Sequence, residues 1–365
     1  MLPAQSNPYL RTWVFILLLA LAAGLLAYAT KFRAQDTTAP ALVVPTPPVA
    51  TQAEVVTREY AQAQVAKNMY VPLLLDDSSL LTAQVAQLAL WRVGGVVVFG
   101  KQISWAQAEQ LEAELAKYPD WQPEILVDHE GGIVQRYSGA GFTKLPSWQS
   151  LCELSSEKRR ELLTTSLAEL KTVGVTMVLA PMVDLGENNK VLGTRLCSAD
   201  SQVVVAAASD YIEVARSLDV TPVLKHYPGL GGTTLDTHQS LEALDPSTAE
   251  ITVFSTLLEK YPDIPVMVAH VAIASDDPTK PCSLSAACIG ALKKTFPKVQ
   301  VISDALEMGG AKQGDSLTTT ARKALVAGND YLLFGSPVTM EEIEVVLREL
   351  TDEYQRSPAF ALLLQ

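Results

Sequence analysis

The sequence predicts an α/β protein whose main domain is a (β/α)8 TIM-type barrel, and three observations carry that expectation. Beyond Glu54, short β-branched runs alternate with longer segments of helical period, the mark of βαβ units and a parallel sheet. Eight such runs can be read, at 69–75, 95–99, 125–128, 177–180, 223–226, 266–270, 299–304 and 331–334, and eight strands are the number that closes a barrel. Several of them end on a polar or charged residue: Asp128, Lys225 with His226, His270 and Asp304. In a barrel the C-terminal strand ends hold the functional groups, so these residues are expected to converge on one mouth. A chain of 365 residues, 48% of them hydrophobic, is long enough for one such domain, placed here at 54–365.

The elements before the barrel follow from composition. Residues 1–11 form a cytoplasmic flank. Residues 12–30, TWVFILLLALAAGLLAYAT, carry no charge and are flanked by Arg11, Lys31 and Arg33, which fits a helix long enough to span a bilayer. Ala27-Tyr28-Ala29 also fits a signal-peptidase site, but the apolar run exceeds the usual signal core, so an uncleaved anchor is favoured over a cleaved signal. Either reading exports the rest of the chain, as a membrane-anchored extracytoplasmic domain or a secreted one. Residues 31–53 contain Pro40, Pro45, Pro47 and Pro48, which remove backbone donors and favour an extended spacer.

Charge and cysteine content narrow the partners. A net charge of -12 argues against nucleic acid, whose binding depends on clustered Lys and Arg. Cys152, Cys197, Cys282 and Cys288 show neither a C-x-x-C pair nor zinc-ribbon spacing. Four buried thiols are the expectation, with a Cys282–Cys288 bridge the alternative in an oxidising compartment.

The chemistry lies in five segments that contain all four histidines: LVDHEGGIVQRYSGAGFTKLPS, LAPMVDLGENNKVLGTRLCSAD, VLKHYPGLGGTTLDTHQSL, VMVAHVAI and VISDALEMGGA. Asp304 closes an apolar strand run, where a carboxylate could serve as a nucleophile or merely cap the following helix. Asp236 and His238 stand two apart in a Gly-rich loop. There an imidazole could exchange protons near neutral pH while the carboxylate orients it, or both could simply cap a turn.

Taken in this order, the segments resemble glycoside hydrolase family 3, and most closely its single-domain β-N-acetylglucosaminidase branch, from about Lys67 to Asn329. The resemblance implies a retaining exo-β-N-acetylglucosaminidase acting on peptidoglycan fragments or related glycans, as a monomer and with no cofactor or metal. It implies Asp304 as nucleophile and His238 with Asp236 as the acid/base dyad on a mobile loop. Asp128, Arg136, Arg195, Lys225 and His226 would line the subsite for the terminal sugar. His270 is read as either a satisfied core histidine or a direct contact, and Glu130, beside Gly131 and Gly132, as a structural turn residue. The chain departs from the family pattern at Leu230 between Gly229 and Gly231, at His129 after Asp128 and at Leu196 after Arg195. These bear on the aglycone side and on loop closure. A β-glucosidase-type activity and a catalytically silent, membrane-anchored glycan-binding module are the alternatives. A metal-dependent hydrolase built on His226, His238, His270 and Asp304 lacks the H-x-H strand common to such barrels.

Overall fold

The computed structural model describes residues 57–76, 78–187 and 189–364. The expected anchor at 12–30 and spacer at 31–53 lie outside the described residues. Among the described residues, no helix is long and apolar enough to cross a membrane.

The expected strands are present, several of them shortened and two shifted by one residue. They are β1 (Met69–Leu74), β2 (Gly95–Phe99), β3 (Glu124–Val127), a β4 (His129–Gly131) and β5 (Val134–Gln135) hairpin, and β6 (Met177–Val178). After them come β7 (Thr221–Pro222), β8 (Leu224–Tyr227), β9 (Glu242–Leu244), β10 (Val266–Val268), β11 (Val271–Ile273), β12 (Val301–Ser303) and β13 (Leu332–Leu333). One parallel sheet runs β13-β1-β2-β3-β6-β7 and a second runs β12-β10-β8. The run expected at 223–226 is broken at Val223, whose N–H is shared between the carbonyls of Val178 and Ala180 at 3.0 and 2.9 Å. At the other edge Ser303 N–H donates to Tyr331 O at 3.0 Å, and Leu306 N–H to Leu333 O at 3.0 Å. The result is a curled parallel sheet.

Alternate side chains of a strand face opposite ways, so each strand feeds two cores. Tyr70, Val97, Leu126, Met177, Met267, Ile302 and Leu333 pack together on the concave side. Their neighbours Val71, Val96, Ile125, Val178, Val266, Val301 and Leu332 pack outward with the helices. Burial on both faces explains why the strands read as continuous apolar runs rather than as alternating ones.

Two helices position the site. In α6 (Ser201–Ser217), capped by Asp200, the buried set Val204, Ala207, Ala208, Tyr211, Ile212 and Ala215 has the spacing of a single helical face. That face brings Tyr211 under the end of β3, where its hydroxyl donates to His129 O at 2.7 Å. The short α4 (Trp148–Glu153) is fixed by the Trp148 indole, which donates to Met182 O at 2.8 Å. Arg159, in α5 (Ser156–Thr172), caps its C-terminal carbonyls at Leu151, Cys152 and Leu154.

The cysteines correct the expectation of free thiols. Cys152 is bonded to Cys197 and Cys282 to Cys288, with Cα atoms 5.6 and 5.4 Å apart, inside the range a disulfide spans. The first pair is 45 residues apart in sequence and meets only because α4 packs beside the segment after Arg195, which no spacing rule reveals.

Candidate active site

The strand ends open into a cavity of about 770 Å³. All eight residues expected at the site line it: Asp128, Arg136, Arg195, Lys225, His226, Asp236, His238 and Asp304. Asp76, Glu307, Met308 and Leu230 also line it.

One wall is a chain of ion pairs. Asp128 accepts from Arg136 at 3.0 Å and from Lys225 at 3.2 Å. Lys225 also reaches Glu130 at 2.6 Å, and Glu130 accepts a fork from Nε and Nη2 of Arg195, both at 2.8 Å. The structural reading of Glu130 holds and is extended by these ion pairs. Gly131, at φ +100°, does make the turn, but the Glu130 carboxylate is the buried anion that holds Lys225 and Arg195 together. Burial alone would raise the Glu130 carboxyl, yet Lys225 and Arg195 outweigh it and bring it down to about 2. The same balance, through Lys225 and Arg136, holds Asp128 well below the usual carboxylate range. Burial works against the Lys225 ammonium, and the two carboxylates overcome it, so its pKa is raised.

His226 is oriented by a residue the sequence reading did not single out. Asp184 Oδ2 meets His226 Nδ1 at 2.8 Å and accepts the His226 N–H at 3.1 Å, while its Oδ1 accepts the Leu230 N–H at 2.6 Å. Asp184 is completely buried. The available signal was an acid shortly after the run at 177–180, as Asp128 follows that at 125–127. Leu230, where the chain departs from the family pattern, is 4% exposed and contributes to the core as well as the cavity.

Asp304 follows β12 directly, and its Oδ1 accepts the Ala305 N–H at 2.8 Å. Burial pushes its carboxyl up, but His270, His226, the Ala305 N–H and Lys225 together lower it, leaving it ionised at neutral pH. His270 does not line the cavity. Its Nε2 lies 2.8 Å from Ala305 O, a carbonyl that can only accept, and its Nδ1 lies 2.7 Å from Ser283 Oγ. Burial lowers its pKa, with Asp304 and the Ala305 carbonyl working against that, and the ring steadies the backbone beside Asp304.

The dyad is formed. His238 Nδ1 lies 2.8 Å from Asp236 Oδ1, which also accepts the His238 N–H at 3.0 Å, so Nε2 is left to work. Backbone hydrogen bonds join the loop to the segment after Asp304. Gly309 N–H donates to His238 O at 2.9 Å and Gly310 N–H to Thr237 O at 3.0 Å. A Cβ at Gly309 would come within 2.2 Å of Gln239 O, so the glycine is what allows this close approach. Glu250, in the capping box of α7 (Thr248–Lys260), holds the other end by accepting the Gly231 N–H at 3.1 Å.

Glu307 also escaped the sequence reading. Its Oε2 accepts the Gly335 N–H at 3.0 Å, and burial, with Asp304 adding to it, raises its pKa.

Clustered carboxylates, a guanidinium fork and an oriented imidazole at the C-terminal ends of a curled parallel sheet are the groups a glycoside hydrolase uses. The chain belongs to glycosyl hydrolase family 3, whose N-terminal domain matches residues 62–356. A β-hexosaminidase of Nitrosomonas eutropha is 31% identical over 291 residues, covering 74% of this chain and 83% of the relative. One of Actinobacillus succinogenes is 33% identical over 277 residues, covering 72% and 80%. The crystal structure of a β-N-acetylhexosaminidase from Beutenbergia cavernae superposes with a TM-score of 0.74 at 23% identity, over 83% of this chain and 95% of its own, a likeness of fold. The M. tuberculosis protein LpqI superposes with a TM-score of 0.70 at 26% identity, over 83% and 90%.

Proposed function

We propose that the protein is a retaining exo-β-N-acetylglucosaminidase, with Asp304 as nucleophile, that trims terminal N-acetylglucosamine from peptidoglycan fragments or related glycans. The observation that carries this reading is the placing of Asp304 and the Asp236–His238 pair on one cavity with the ion-paired wall. Asp304 attacks the anomeric carbon while protonated His238 gives its Nε2 proton to the leaving oxygen. The neutral imidazole then takes a proton from water, which attacks the glycosyl-enzyme and frees Asp304. Asp236 keeps Nδ1 protonated and stabilises the imidazolium. Asp128, Arg136, Arg195, Lys225 and His226 bind the terminal sugar, their donors and acceptors already aligned by one another and by Glu130 and Asp184. On this reading the curled sheet is a (β/α)8 barrel, supported by one concave core drawn from every part of it. The same proposal takes 12–30 as an anchor or signal and 31–53 as the spacer of an exported, monomeric catalytic domain.

The test compares 4-nitrophenyl N-acetyl-β-glucosaminide with the plain β-glucoside. Preference for the glucoside, or hydrolysis of neither, overturns the proposed activity. Asp304→Ala is expected to fold and to lose several orders of magnitude in turnover, and near wild-type turnover would remove Asp304 from the mechanism.

A further inference from the structure

Arg195 reaches the cavity from an unusual support. It ends a three-residue 3-10 turn, Gly193–Arg195, which has no side-chain cap and begins at a glycine with φ +54° and open space around it. The neighbouring backbone hydrogen bonds are local: Arg195 N–H to Leu192 O at 3.1 Å and Leu196 N–H to Gly193 O at 3.2 Å. Upstream, Asn189 ties the segment to the Gly-rich loop through Gly231 O and Thr233 O. Downstream, Gly186 N–H meets Ser198 O at 3.2 Å, a bond within the same excursion. Leu192 and Leu196 on either side of the turn are buried in the core, and the covalent tie to the body of the domain is Cys197, two residues past Arg195, bonded to Cys152.

The other end of that bond is firm. Cys152 sits in α4, which is held by the Trp148 indole at Met182 O and by Arg159 on the carbonyls around it. Arg159 is itself fixed in a buried pair with Asp210 at 2.6 Å. The guanidinium of Arg195 lines the cavity while its Nε and Nη2 donate to Glu130. A donor held at the end of a long side chain recognises a sugar only if its base stays put, and a shift of about 1 Å can cost a large factor in activity.

We propose that the Cys152–Cys197 disulfide is a positioning device for Arg195: it fixes the turn from which the guanidinium reaches the terminal sugar, so that breaking it weakens substrate binding while leaving bond cleavage intact. The proposal rests on the reading of Arg195 as a sugar-binding residue. The second disulfide, Cys282–Cys288, lies in a different part of the chain and provides the comparison.

The experiment uses the full chain and 4-nitrophenyl N-acetyl-β-glucosaminide. Replacing both Cys152 and Cys197 by Ala is expected to raise KM roughly tenfold with kcat within about twofold. Replacing both Cys282 and Cys288 by Ala should leave KM in place. In an Arg195→Ala background, losing Cys152–Cys197 should add nothing further to KM, because the group it positions is gone. If the Cys152/Cys197 variant does not fold, the folded Cys282/Cys288 variant is instead reduced with dithiothreitol. Two electrons and two protons then pass from the dithiol, which closes to its cyclic disulfide, and Cys152 and Cys197 become thiols. The same KM rise is expected. Hydrolysis of no substrate by the wild type would sink the functional reading, and an unchanged KM in Arg195→Ala would sink the role of Arg195. An Arg195 effect without a disulfide effect, or a KM rise of equal size in both Arg195 backgrounds, would overturn the positioning role itself.

Discussion

Replacing Glu130 by Gln tests the ion network at its centre. Glu130 is 1% exposed and is the anion shared by Lys225, which is 2% exposed, and Arg195. Its pKa of about 2, against an ordinary value of 4.5, corresponds to about 3 kcal/mol of preferential binding of the charged form, at about 1.4 kcal/mol per unit. Removing one partner of a buried pair costs about 3–5 kcal/mol in general, so the two routes agree in order of magnitude. With an unfolding entropy of about 2.1 cal/mol/K per residue over roughly 300 residues, such a loss lowers Tm by about 5 °C. The sign of the pH dependence follows from the depressed pKa. The stabilisation is complete above about pH 4.5 and is lost as pH falls towards about 2, so the gap between wild type and variant should be full at pH 7 and narrow below pH 4.5. Thermal and urea melts at pH 7 and pH 4 measure it, and KM should rise because Lys225 and Arg195 lose their common counter-ion. A Tm within about 1 °C of wild type at pH 7, with KM unchanged, would refute the reasoning.

His238→Ala should lose far more kcat/KM on a disaccharide than on the nitrophenyl substrate, whose leaving group needs little protonation, and azide should partly restore turnover. Equal losses with no azide effect would make His238 a binding or structural residue. Glu307→Gln should melt at or above the wild-type temperature at pH 8, because burial disfavours the charge there and glutamine can still accept from Gly335; the gain should vanish below about pH 4.5, and a clear loss at pH 8 would contradict this. The intact chain should sediment with membranes and resist carbonate extraction, whereas a chain starting near Glu54 should be soluble and active. A mature protein beginning at Thr30 would instead mark 12–30 as a cleaved signal.

How far the sequence could be read depends on the range of each interaction. The strands were legible because their apolar runs are local, and the chemistry-bearing residues were legible because they close those runs, as Asp128 and Asp304 do. Pairings between distant segments were not. Asp184 and His226 are 42 residues apart, Glu130 and Arg195 65, and nothing in either local pattern announces the other. Glu130 was hidden by its company, since an acid before two glycines reads as a turn. The disulfide at Cys152 and Cys197 was hidden in the same way, by a fold-dependent meeting of α4 with the segment after Arg195.

The ion-paired wall also bears on how Asp304 would act as the proposed nucleophile. A carboxylate locked to a buried ammonium would be a poor nucleophile, because its lone pairs would already be engaged. Lys225 contributes to holding Asp304 ionised, yet its direct partners are Asp128 and Glu130. Among the described residues, Asp304 has no salt bridge and takes one hydrogen bond from the adjacent Ala305 N–H. His270, hydrogen-bonded to Ser283 and Ala305, steadies that backbone. Glu130 thus serves the proposed reaction indirectly. On the proposed mechanism, by balancing Lys225 and Arg195 it holds both cations in the wall and out of direct contact with Asp304, whose second oxygen is left for the anomeric carbon.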